Sequence, residues 1–110
     1  MTLRERITED MKAAMRSGDK DRLGLIRMLQ AAIKQREVDE RITLDDAQTL
    51  AVIDKMIKQR RESVVQFEAG HRADLVAKES AEIAALTAYL PAQLDAAALD
   101  MLITHAGGQD

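Results

Sequence analysis

The side chains with the widest chemical range in this chain stand in few working arrangements. Two histidines are present, His71 in a glycine-containing turn and His105 near the C-terminal end, and neither sits in a zinc pattern such as HExxH. Cysteine is absent, which excludes disulfides and thiolate metal sites. Acidic pairs occur at Glu9-Asp10, Asp39-Glu40 and Asp45-Asp46. Acid–base catalysis needs two carboxylates converging in one cleft, whereas neighbours on a helix point in different directions. Helix caps and solvated faces account for these pairs. Ser17, Ser63 and Ser80 have no nearby base and no nucleophile-elbow context. Neither GxxxxGK[ST] nor GxGxxG is present to cradle a phosphate. The residues thus predict no catalytic constellation, no cofactor and no metal.

The remaining arrangement is basic. Lys55, Lys58, Arg60 and Arg61 crowd one stretch, with Lys55, Lys58 and Arg61 at three-residue intervals. Cations in a row on a helix bind phosphates by releasing counterions. Arg27 and Lys34 form a second strip. The bland alternative is a solvated helix face, the usual meaning of a charge run. Phe67 and Tyr89 are the only aromatics and both fit apolar stripes, so no platform for stacking bases is expected. Any nucleic acid would be read by shape and backbone. Met11, Met15, Met28, Met56 and Met101 suit either core gap-filling, the commoner use, or an adaptable partner groove.

These residues must be positioned by helices. Thr2 and Glu5 have the spacing of a capping box, after which Leu3, Ile7, Met11, Ala14 and Met15 recur at helical intervals. Ser17-Gly18 stops that helix, with Gly18 suited to the left-handed position, and Asp19 caps a second helix from Lys20 to about Asp39. Its apolar stripe is Leu23, Leu25, Ile26, Leu29, Ala32 and Ile33, while Arg27, Lys34, Arg36 and Arg41 should be wet. Thr43 is read as the start of a long third helix that Gly70 ends. A fourth runs from about Ala73 to Tyr89 and is closed by Pro91, and Asp95 caps a short fifth holding Leu99, Leu102 and Ile103.

Composition agrees. Of 110 residues 46% are hydrophobic but only 2% aromatic, so the core must be aliphatic, which favours helix on helix over a sandwich or barrel. The fold class expected is all-α, about five helices in hairpins or a bundle, with residues 1–110 as one domain. Net charge is −3, unevenly spread: residues 1–61 hold 14 Lys/Arg and 11 Asp/Glu, residues 62–110 hold 2 and 8. A basic first half suits an anionic partner and an acidic second half does not. No apolar h-region follows Met1 and no run reaches a membrane span, so a cytoplasmic protein is expected, or in a eukaryote an organellar one.

Two stretches carry a family resemblance. LRERITEDMKAAMRSGDKDRLGLIRMLQAAIKQREV (residues 3–38) and KQRRESVVQFEAGHRADLVAKESAEIAALTAYLPAQL (residues 58–94) resemble the YqeY family, also called the GatB/YqeY domain. The most specific elements are KQRRES, the AGHRADL turn with its following Lys78-Glu79, and YLPAQL. The family is all-helical, and occurs as small free-standing proteins and as the tail of the B subunit of tRNA-dependent amidotransferases. The resemblance implies an accessory domain associated with tRNA or a tRNA-bound amidotransferase. It also implies carbon–nitrogen ligase activity with glutamine as amido donor. It brings no catalytic residue to this sequence. Family members usually continue into a further helical region beyond the position of Asp110. The alternative expectation is a protein-interaction or structural module with no RNA role, homo-oligomeric or bound to another protein.

Overall fold

A computed structural model describes residues 2–91 of the chain. Those residues form four helices and no strand: α1 (Leu3–Ser17), α2 (Lys20–Glu40), α3 (Asp46–Ala69) and α4 (Ala73–Thr87). The all-helical class expected from the composition is correct, and the first four helices stand in the order read from the sequence. The fifth, with Leu99, Leu102, Ile103 and His105, lies outside the described residues. The chain divides into two compact units, residues 1–52 and 53–110.

In the first unit the helix ends are fixed by local chemistry. The Thr2 hydroxyl accepts from the Glu5 amide and the Glu5 carboxylate accepts from the Thr2 amide, completing the capping box. Gly18 takes φ 72° at the end of α1, where its amide donates to carbonyls of the last turn. Asp19 then caps α2 through the Arg22 amide. α1 packs on α2, burying Leu3, Ile7 and Ala14 from the one and Leu25, Ile26, Leu29 and Ile33 from the other. α2 ends with Arg41 in the left-handed region at φ 55°, its amide bonded to the Glu37 carbonyl.

α3 begins three residues later than expected. Thr43 is exposed and non-helical. The cap is Asp45, whose carboxylate accepts from the Gln48 amide at 2.8 Å while the Gln48 side chain accepts from the Asp45 amide at 3.0 Å. Leu44 is buried instead, its amide held by the Glu37 carboxylate. Arg36, expected wet, is half-buried: it pairs with Glu40 at 2.7 Å and donates to the Gln48 carbonyl at 3.3 Å.

In the second unit Ile53, Met56 and Ile57 of α3 are buried, as are Leu86, Tyr89 and Leu90. α3 closes at Ala69, and the left-handed residue of the turn is His71 (φ 58°). α4 ends at Thr87, two residues short of Tyr89, and the chain turns through Ala88–Leu90 before Pro91.

Candidate functional site

The basic segment of α3 does not form a single row. A helix advances one turn in about 3.6 residues, so positions two apart point to nearly opposite sides. Lys55 and Lys58 are exposed and share a side with Gln59 and Glu62, also exposed, and Arg61 lies half-buried at its edge. Arg60 is turned inward and only 8% exposed. Its Nε donates to Glu82 of α4 at 3.1 Å and its Nη1 to the Met56 carbonyl at 3.4 Å. The expectation that Arg60 meets phosphate alongside its neighbours is therefore at odds with its position: it ties α4 to α3. Lys58 reaches back to the buried Asp54 at 3.0 Å while its side chain stays 45% exposed. The spacing of Lys55, Lys58 and Arg61 was legible; the inward turn of Arg60 follows from its place on the same side as Met56 and Ile53.

Arg27 and Lys34 belong to α2, in the first unit, and both are exposed. They stand two turns apart on one side of that helix.

Sequence reasoning missed the junction that closes the first unit. The Leu3 amide, at the start of α1, donates to Asp46 Oδ1 at 3.0 Å, so a carboxylate of the α3 start serves an orphan amide of α1. Arg4 pairs with Glu37, the same carboxylate that holds the Leu44 amide. An open groove lies here, lined by Thr2, Arg4, Glu5 and Glu9 with Leu44, Asp45 and Asp46. Its acids are engaged in structure: Glu5 and Asp45 cap helices, Asp46 takes the Leu3 amide, and Glu9 pairs with Lys12. The Thr2 amide, and next its hydroxyl, hold the Glu5 carboxyl below its ordinary pKa. The capping-box spacing was the only signal of this junction. The Arg72 guanidinium likewise holds the Asp74 carboxyl down, at the start of α4.

Among the described residues no group of three or more His, Asp or Glu is placed to hold a metal ion. No helix among them is long and apolar enough to cross a membrane.

Comparison with known proteins adds a family pattern and relatives. The pattern described as Yqey-like protein matches residues 4–108. Altered inheritance of mitochondria protein 41, mitochondrial, from Eremothecium gossypii is 38% identical over 87 residues, covering 78% of this chain and 48% of the relative. The protein of the same name from Kluyveromyces lactis is 37% identical over 84 residues, covering 76% and 45%. That from Saccharomyces cerevisiae is 34% identical over 82 residues, covering 74% and 44%. The chain thus spans about half the length of the curated relatives it matches. Their names correct the cytoplasmic expectation, since each relative is named a mitochondrial protein.

Proposed function

The chain belongs to the YqeY family, and from that premise we propose that it is a non-catalytic accessory domain that docks on tRNA or on a tRNA-bound amidotransferase. The observation that carries the reading is the pair Lys55 and Lys58, exposed on one side of α3. Two cations one helical turn apart meet adjacent phosphates of a nucleic-acid backbone without reading its bases. Arg61 flanks them, and Arg60 is left out of the contact set because its guanidinium is committed to Glu82. The carbon–nitrogen ligase chemistry that the family resemblance implies then belongs to the enzyme on which the domain docks. The mitochondrial setting named for the relatives is part of the proposal, as is the treatment of residues 1–110 as one functional domain.

Titrating labelled bulk tRNA with the protein at low and physiological salt, beside a duplex DNA of equal charge, tests the reading. Micromolar binding that weakens with salt and prefers tRNA is expected. Absence of binding at low salt contradicts it. A second reading, a helical protein-interaction module with no RNA role, is favoured by a separate observation: Met28 and Val38 of α2 are 53% and 64% exposed.

A further inference from the structure

α2 carries apolar residues on two sides, the outer one interrupted by Gln35, whose side-chain amide donates to Asp39 at 2.9 Å. Leu25, Ile26, Leu29 and Ile33 are buried within the first unit. On the outer side Gly24, Met28, Ala31, Gln35 and Val38 follow one another at intervals of four, three, four and three residues, and every one is exposed. That alternation, averaging about 3.5 residues, is the seam of a helix that lies along another helix. Along one edge of the seam Lys20, Arg27 and Lys34 recur at seven-residue intervals, all exposed. The other edge holds Leu25, Ala32 and Asp39, so the cationic row is confined to one edge.

Gly24 adds a second observation. It lies in the interior of an exposed helix, and a Cβ at its position would meet nothing within 4 Å. Among the described residues no contact calls for a glycine there, although glycine weakens a helix relative to alanine. Close approach of a second backbone does call for one.

We infer that the outer face of α2 docks an amphipathic helix of a partner protein, one with an apolar seam and a row of Asp/Glu along the edge that meets Lys20, Arg27 and Lys34. Charge complementarity selects this occupant. Two copies of α2 packed antiparallel would set cationic edge against cationic edge. Packed in parallel, they would offer Arg27 and Lys34 only Ala32 and Asp39. A nucleic-acid backbone would use the cations and have no use for the seam. The inference stands on α2 alone and holds whether or not the α3 lysines meet RNA.

Two synthetic helical peptides with the same apolar seam, one with Glu and one with Lys along the facing edge, test it by fluorescence anisotropy against the full chain. The Glu peptide should bind about tenfold tighter than the Lys peptide, and the double variant Arg27→Glu, Lys34→Glu should reverse that preference. Gly24→Gln fills the seam with a good helix former. It should keep or raise the thermal midpoint while weakening the Glu peptide about tenfold or more. Equal binding of both peptides, no binding of either, or unchanged affinity in Gly24→Gln would overturn the inference. So would self-association, read by light scattering, that Gly24→Gln abolishes, because the occupant is then a second copy. Binding of bulk tRNA that the double charge variant abolishes and Gly24→Gln leaves untouched would assign the cationic edge to phosphates and overturn it as well.

Discussion

Arg60 and Lys58 are two residues apart, yet Arg60 is a buried strut between helices while Lys58 stays exposed and reaches back to Asp54 of its own helix. Arg60 meets Glu82 and the Met56 carbonyl in near-complete burial, so removing its guanidinium strands a half-buried carboxylate. Arg60→Ala is expected to destabilise the fold by about 2 kcal/mol or more. Lys55→Ala, at an exposed position, should change it by no more than about 0.5 kcal/mol. Urea titrations followed by circular dichroism check both, and equal costs would contradict the assignment of roles. Arg41 shows a different strain. It holds φ 55°, a conformation that disfavours a side-chain-bearing residue and suits glycine. Arg41→Gly should therefore stabilise the protein, by about 0.5–1 kcal/mol, read as a rise in thermal midpoint. At this scale the sequence showed which residue types were crowded together, but not which faced inward. That depended on Glu82, which lies 22 positions from Arg60.

Helix boundaries were legible where their chemistry is local. The Thr2–Glu5 box, Gly18 and the Asp19 cap each involve residues within a few positions of one another. The start of α3 was misread because Thr43 and Asp45 are both capping residue types. Burial of Leu44 and its bond to Glu37 then favour Asp45, and such a bond between elements leaves no pattern in spacing. Asp45→Ala should cost about 1 kcal/mol, while Thr43→Ala should be nearly neutral, measured by thermal or chemical denaturation. The same box gives a pH dependence. Glu5 has a lowered pKa in the folded chain, so its contribution is complete above the unfolded carboxyl value. It fades as pH falls through the lowered folded value. Comparing melts of wild type and Glu5→Gln from neutral to acid pH should show the stability gap narrowing on acidification. A gap independent of pH would contradict the cap's dependence on charge.

Over the whole molecule, the aliphatic, aromatic-poor composition was enough to give the helical class. It could not give the division into residues 1–52 and 53–110, which cuts through the periodic stretch of α3. The charge asymmetry changes meaning once the units are known. Residues 1–52 carry ten Lys/Arg and ten Asp/Glu, and residues 53–110 carry six and nine, so the basic segment of α3 sits in the more acidic unit. The proposed tRNA contact must then come from Lys55 and Lys58 locally, because the unit's net charge opposes it.

The most direct test of that contact is the salt dependence of bulk tRNA binding, compared between wild type and the double variant Lys55→Gln, Lys58→Gln. The proposal predicts that the slope of log affinity against log salt becomes shallower by roughly 1–2. Lys55→Gln alone should keep the thermal midpoint and flatten the slope by about 1. The double variant should also lose stability, because Lys58 is the ion partner of the buried Asp54. An unchanged slope would remove these lysines from the contact and contradict the accessory-domain reading as it is placed on α3.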